Sequence, residues 1–391
     1  MEEHTARAVP AVHLFFGFLR LGLTAFGGPA MVAYIRDLAV KKKNWLTPES
    51  FQDGVALCQS IPGATAMQTA AYVGLRSSGP LGALAAFVGF GLPAFALMVA
   101  LSVAYQAGHD LHVVASIFRG LQAIVLALIA NAIVNFGRAS IKNWRDLMPA
   151  VGAATLMVLS VNPILMIIAA ATAGFILYRH MAAPEAVRSP ASVEGARKLI
   201  RLPLYGVILV VVALAALFLL NQTLFDLSAV MLKVDLFAFG GGFTSVPLMF
   251  HEVVDVRHWV DTKTFMDGIA MGQVTPGPIV ITATFVGYQV AGLLGAVVGT
   301  IAVFTPSLLI LLLTAPHLRR LQKSAIFRHC LRGVFASFCG LLLGVAINFG
   351  LSVPWNVLAV TIALAAFVAL RLKVDILWVV LAGAGISILI L

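Results

Sequence analysis

Phe26-Gly27-Gly28-Pro29 and Phe239-Gly240-Gly241-Gly242 stand 213 residues apart in a chain of 391, and each opens the same succession of uncommon residues. At an offset of 214, Trp45 meets Trp259, Phe51 meets Phe265, and Asp53-Gly54 meets Asp267-Gly268. Gln59 meets Gln273 and Pro62-Gly63 meets Pro276-Gly277 in the same register. The offset then returns to 213 for Gly74/Gly287, Gly82/Gly295, Pro93/Pro306, Arg119-Gly120/Arg332-Gly333 and Asn135-Phe136-Gly137/Asn348-Phe349-Gly350. Shared apolar residues carry little information in a greasy chain. Shared Trp, Asp, Gln, Pro, Arg and Asn in one order mean duplication.

Composition names the solvent. Hydrophobic residues make up 61% of the chain and charged residues 11%, against about 25% charged in an ordinary soluble domain. Apolar runs recur at 81–105, 121–136, 164–178, 202–220, 293–314 and 357–370. A helix needs about 20 mainly apolar residues to cross the hydrocarbon core, so the longer runs qualify alone. No ten-residue alternation of a membrane β-barrel is present, and the polar start, Met1–Pro10, does not read as a cleavable signal. The net charge of +10 fits Lys and Arg gathered in cytoplasmic loops rather than a nucleic-acid surface. Cys58, Cys330 and Cys339 form neither a disulfide framework nor a metal motif. No cofactor is expected, and no Gly-rich Lys-Ser/Thr loop for ATP occurs.

The expected fold is an all-α polytopic membrane protein of two inverted-topology repeats, with broken or re-entrant helices near the midplane. Residues 1–180 form the first repeat, 181–201 a polar cytoplasmic linker, 202–221 an unpaired transmembrane helix, and 222–391 the second repeat. An even number of crossings per half plus one extra helix turns the second half over, as in many secondary transporters. Loop charges agree if the first two elements of each half return to their own side. Arg36, Lys41–Lys43, Arg138, Lys142, Arg145 and Arg371 then share one face, cytoplasmic with the N-terminus by the positive-inside rule.

Breaks in apolar elements are tolerated at membrane depth only where protein or water satisfies the backbone. Four occur here, at Gly27-Gly28, Gly240-Gly241, Pro62-Gly63 and Pro276-Gly277. Each precedes a segment able to restart as a helix, whose free N–H groups and partial positive charge attract anions. Thr65, Gln68, Thr244 and Thr282 follow the breaks as neutral donors. Arg20 and Lys233 each lie seven residues before a break and are expected to supply a buried positive field. Arg119 and Arg332 form a second matched pair, either functional or interfacial. Asp53 and Asp267 are matched acids that anchor those cations, cap a helix, or carry a coupling proton. Asn135 and Asn348 are read as interhelical hydrogen-bond residues. The physics alone reaches an inverted-repeat carrier for a small anion. A membrane-embedded enzyme would need clustered His, Cys or carboxylates, whereas the nine His are scattered.

Phe26-Gly27-Gly28-Pro29, Phe239-Gly240-Gly241-Gly242, Gln59…Pro62-Gly63 and Gln273…Pro276-Gly277-Pro278, in this two-half layout, resemble the chromate ion transporter family in its long, fused form. The likeness covers nearly the whole chain. It implies a secondary transporter that exports chromate across the bacterial inner membrane and gives chromate resistance, with uptake or exchange of sulfate or another oxyanion as the alternative. Expected partners are the oxyanion, the lipid bilayer and, as an option, a second copy in a homodimer. The first half departs from the second by Pro-Gly-Ala at 62–64 in place of Pro-Gly-Pro, so the half-sites are expected to contribute unequally.

Overall fold

A computed structural model describes residues 9–26, 30–108, 112–179, 201–317 and 324–390. Most of the 181–201 linker and the Gly27-Gly28-Pro29 break lie outside them. The first repeat runs α1 (Ala11–Gly22), α2 (Ala30–Arg36) with one π-helical turn (Asp37–Lys42), α3 (Pro48–Ser60), α4 (Thr65–Gly108), α5 (His112–Ser140), α6 (Trp144–Val158) and α7 (Pro163–Tyr178). The lone helix α8 (Arg201–Leu220) follows. The second repeat is α9 (Gln222–Phe237), α10 (Ser245–Phe250) with its π-helical turn (His251–Val256), α11 (Thr262–Val274), α12 (Thr282–Thr314), α13 (Ala325–Ser352), α14 (Val357–Arg371) and α15 (Ile376–Ile390). Among the described residues, five helices are long and apolar enough to cross a bilayer.

The duplication extends to backbone features that composition does not dictate. The two π-helical turns match at offset 214. Left-handed residues pair as Asn44 (φ 50°) with His258 (52°), Gly63 (120°) with Gly277 (127°), Gly79 (65°) with Gly292 (60°), and Ser160 (55°) with Lys373 (65°). Gly79 and Gly292 each break a continuous apolar stretch into two helices, inside α4 and inside α12. The caps repeat as well. Thr47 accepts from the Ser50 N–H to start α3, and Asp261 accepts from the Thr264 N–H to start α11, each satisfying one orphan donor of its helix.

Three contacts decide whether the broken elements span or return. Trp45, beyond α2, stacks on Phe18 in the middle of α1 with ring centroids 6.0 Å apart. A chain continuing across the membrane would carry it roughly 30 Å from Phe18 at about 1.5 Å per residue. In the second repeat, Arg257 beyond α10 pairs with Asp226 near the start of α9 at 2.9 Å. Lys233 in α9 meets Glu252 after α10 at 2.5 Å. Both elements are therefore re-entrant hairpins. The Val9 N–H also donates to the Ser77 carbonyl, so the hairpin of α3 with the first part of α4 ends on the face where α1 begins (face 1).

From there the inversion can be traced. The long part of α4 crosses to face 2, α5 returns, and α6 and α7 make a hairpin whose ends meet where the Tyr178 hydroxyl donates to Asp146. The single crossing of α8 then starts α9 on face 2. Contacts between the halves agree with this assignment. Arg332, near the start of α13, binds Asp146 on face 1. Arg371, at the end of α14, donates to Asn135 at 3.2 Å on the same face, the interhelical bond expected of that Asn. Arg119 is exposed, whereas Arg332 is held by Asp146 and stacked over Tyr178 at 4.0 Å, so the matched arginines stand in different settings.

The core forms by exchange between halves. The α6–α7 hairpin of the first repeat packs on α13 of the second, and α14 and α15 pack on α5. Gly174 and Gly333 make one of these contacts, where an added Cβ would sit 2.5 Å or less from a carbonyl oxygen; small residues give such close helix approach. Helix α8 is left almost wholly uncovered by the rest of the chain, with 6% of Pro203–Leu220 buried.

Candidate functional site

The breaks meet each other across the repeats. The Gly63 N–H donates to the Ala238 carbonyl at 2.8 Å, and the Gly277 N–H donates to the Ala25 carbonyl at 3.1 Å. Pro62 and Phe239 form an isolated antiparallel bridge. Each second-element break thus satisfies the chain just before the other half's first-element break, which is how irregular backbone survives at this depth.

Beside this junction lies a cavity of about 700 Å³. Its inner wall is Gly240, Gly241, Gly242, Thr65, Gly277 and Ile279, and its outer wall includes Arg36, Gln52, Gln59, Asn131 and Asn135. The outer residues belong to α2, α3 and the end of α5, so the cavity opens to face 1. Gly240 and Gly241 hold φ of 91° and 116°, a region that L side chains rarely enter. Among the hydrogen bonds of the described residues, none is donated by the N–H of Gly240, Gly241 or Gly242. The Thr65 hydroxyl and the Asn131 carbonyl oxygen are buried without a partner. Thr65 also opens α4, whose first-turn N–H groups point to this end. The Thr65 hydroxyl and the glycine N–H groups are uncommitted donors that suit an oxyanion; the Asn131 oxygen is an acceptor and adds nothing to that.

The expected residues divide. Thr65, Gly240, Gly241 and Gly277 line the cavity. Gly27 and Gly28 lie outside the described residues. Pro62, Gly63, Gln68 and Pro276 stand behind the wall. Gln68 donates to the Pro62 carbonyl at 2.7 Å, bracing the break. Thr244 and Thr282 turn their hydroxyls back on the Gly241 and Ile279 carbonyls at 2.6 and 2.8 Å, so neither is a free donor.

The two matched cations need correction. Arg20 is exposed on α1 and Lys233 is committed to Glu252, a buried carboxylate; neither is among the described residues that line the cavity. Among the described residues, the cation that lines it is Arg36. Among the described residues Asp267 anchors neither of the matched cations: it is buried and accepts from Gln122 Nε2 at 2.8 Å and the Tyr105 hydroxyl at 3.0 Å. Asp53 is buried likewise. Sequence reasoning also passed over Gln59 and Gln273 as site residues, although their exact repetition beside the breaks was the available signal. Asn131 had none, because its repeat counterpart is Gly344.

The inequality between Pro-Gly-Ala and Pro-Gly-Pro has a cause. The Ala64 N–H donates to Ser307 Oγ at 2.7 Å, and Ser307 in turn gives Oγ–H and N–H to Asp235, at 2.7 and 2.8 Å. In the other half Pro278 has no N–H to satisfy, and the positions equivalent to Ser307 and Asp235 are Ala94 and Gly22. A polar network exists only where the backbone leaves a donor to pair. A separate groove along α5 and α14, lined by Leu126, Ala130, Trp355 and Phe367, is apolar and offers an anion nothing.

Comparison with known proteins agrees with this architecture. The chain is 44% identical over 383 residues to an uncharacterized transporter of Methanocaldococcus jannaschii, covering 97% of this chain and 94% of that protein. It is 31% identical to a chromate transport protein of Cupriavidus metallidurans, over 92% of this chain and 89% of that one. A chromate transport protein of Pseudomonas aeruginosa is 30% identical, with coverage of 94% and 88%. No solved structure matches. The family model described as chromate transporter matches twice, over residues 12–175 and 225–388, one match for each repeat traced above. The chain belongs to the chromate transporter family.

Proposed function

We propose that the chain is a secondary transporter that carries chromate, a tetrahedral oxyanion, out of the cytoplasm across a bacterial inner membrane and so gives chromate resistance. The observation that carries this reading is the cavity at Gly240–Gly242 and Thr65, whose donors are uncommitted and whose mouth lies on the basic face. Lys41, Lys42, Lys43, Arg138, Lys142, Arg145 and Arg371 belong to face 1, and their gathering there supports, by the positive-inside rule, a cytoplasmic face 1 that also carries the N-terminus. Face 2 carries Asp226, Asp255 and Asp261. An inside-negative potential drives a dianion outward at about 2.3 kcal/mol per charge per 100 mV, so export needs no ATP. The relatives named for chromate transport support the choice of anion.

Inverted membrane vesicles test it. Chromate uptake driven by an inside-positive potential is expected to saturate and to fall strongly in Gly241→Val, whose side chain would enter the cavity at an unfavourable φ. Absence of flux in the wild-type vesicles would sink the assignment. Sulfate is the second reading, because it shares the tetrahedral shape and dianionic charge and the neutral donors do not separate the two. Competition by sulfate in the same assay measures that selectivity, and the direction that saturates at lower concentration decides between export and uptake. A cysteine at position 42 is expected to resist external impermeant reagent in intact cells.

A further inference from the structure

The two repeats have the same parts in different states. On face 2, Phe265 and Phe349 lie with ring centroids 6.3 Å apart, and Phe250 contacts both at 5.7 and 5.3 Å. All three are fully buried, and they seal that side. Their counterparts on face 1 are Phe51, Phe136 and, in the register of the π-helical turns, Arg36. These three line the open cavity, Arg36 exposed, Phe136 half-buried and Phe51 buried, and no aromatic contact joins Phe51 to Phe136 among the described residues. A sealed aromatic trio in one half faces an open mouth built from the equivalent positions in the other. Interchanging the two conformations is the rocking that inverted repeats permit.

The substitution of Arg36 for the expected Phe changes what closure requires. Moving Arg36 to the position that Phe250 occupies would bury a guanidinium between two phenyl rings. Aromatic faces attract such a cation only modestly, whereas an uncompensated buried charge is costly. Asp37 is no remedy, since it is committed to Lys41 and Lys42 at 3.3 and 3.0 Å. Arg36 itself makes no hydrogen bond or ion pair among the described residues. What can neutralise it is an anion in the cavity it lines.

We infer that Arg36 is the gate cation that makes closure of face 1 between Phe51 and Phe136 conditional on a bound oxyanion. The inference rests on the oxyanion reading above and adds the residue that couples occupancy to movement. An empty carrier stays open to face 1 because its gate is charged. A loaded carrier closes because dianion and guanidinium enter the seal together.

The test reads closure directly. In a background with Cys58, Cys330 and Cys339 replaced by Ser, Gln52→Cys places a thiol at the outer cavity wall, away from Gly240–Gly242. Inverted vesicles expose face 1 to a membrane-impermeant maleimide. With Arg36 present, chromate or sulfate is expected to slow labelling at least ten-fold, saturably. In Arg36→Phe, which gives the first half the composition of the second, labelling is expected to be slow with or without anion. Arg36→Lys should keep the anion dependence, and Arg36→Gln, which retains polarity and near-normal size, should lose it. Anion protection that persists unchanged in both Arg36→Gln and Arg36→Phe overturns the gate and leaves the oxyanion reading intact. No protection by either anion in the Arg36 protein, together with no flux, overturns both.

Discussion

Gly63 gives its N–H to the carbonyl of Ala238 at 2.8 Å, and this bond joins the break of one repeat to the break of the other. Gly63 holds φ at 120°, and a Cβ there would lie 2.3 Å from Ser307 Oγ and 2.6 Å from Gln68 Nε2. Backbone strain of this kind costs about 1–3 kcal/mol, and the clash adds to it. Gly63→Ala is expected to lower the unfolding midpoint of the purified protein in detergent and to abolish anion flux. Gly277→Ala meets only the Ala94 methyl, at 2.8 Å, and shares the positive φ. Its loss of stability should be the smaller of the two, and equal losses would count against the polar network as the difference.

Ser307 explains that difference, and a double-mutant cycle can read it. Ser307→Ala removes the hydroxyl that accepts from the Ala64 N–H and donates to Asp235, leaving Asp235 only the backbone N–H of residue 307, and an unsatisfied buried polar group costs about 1–3 kcal/mol. Ala64→Pro removes the donor, as the second half does with Pro278, and Gly277 shows that the preceding φ accommodates proline. Ala64→Pro is therefore expected to cost less in the Ser307→Ala background than in the wild type. The measurement is stability of the four proteins in denaturant or on heating. Additive effects would refute the pairing of donor and acceptor.

How far the sequence reached follows from what duplication encodes. Paired Trp45/Trp259 and Asp53/Asp267 located both repeats, and the crossing count with its one extra helix gave the inversion, with which the loop charges and the Arg332–Asp146 and Arg371–Asn135 contacts agree. Repetition marks positions, though, and not partners. Arg20 and Lys233 are equivalent by register, yet Glu252 stands opposite Lys233 while Leu38 occupies the corresponding place beside Arg20. Arg36 was hidden for the converse reason, since its counterpart Phe250 shares no chemistry with it. Asymmetric residues are invisible to a self-comparison, and the polar features of this cavity are largely asymmetric.

The same pair makes a quantitative contrast. Lys233→Ala strands Glu252, whose side chain is 7% exposed, while the lysine itself is 37% exposed. Breaking a buried pair costs about 3–5 kcal/mol, and the exposure of Lys233 reduces this to about 1–3 kcal/mol through solvent screening. Arg20→Ala removes an exposed group and should stay within about 0.5 kcal/mol. Chemical denaturation of the two variants distinguishes them. A larger loss in Arg20→Ala would show that the matched cations are not divided as the contacts indicate.

Asp267 supplies the last test, on the closed side. It accepts from Tyr105 of α4 and Gln122 of α5, so it ties the second repeat's α11 to the first repeat at face 2. Asn at 267 is a neutral amide: its oxygen can still accept from Gln122, but its N–H₂ meets the Tyr105 oxygen as a donor, so both partners lose a carboxylate acceptor. The tie is weakened and opening of face 2 becomes easier. Ile269 is fully buried on α11, whereas its counterpart Val55 lines the open cavity on face 1. A cysteine at 269 should therefore be silent to impermeant maleimide added to right-side-out vesicles. Adding Asp267→Asn is expected to raise its labelling rate several-fold, and Tyr105→Phe to raise it less, since only one donor is lost. Unchanged labelling in Asp267→Asn with flux preserved would show that face 2 is held shut by the Phe250, Phe265 and Phe349 packing alone.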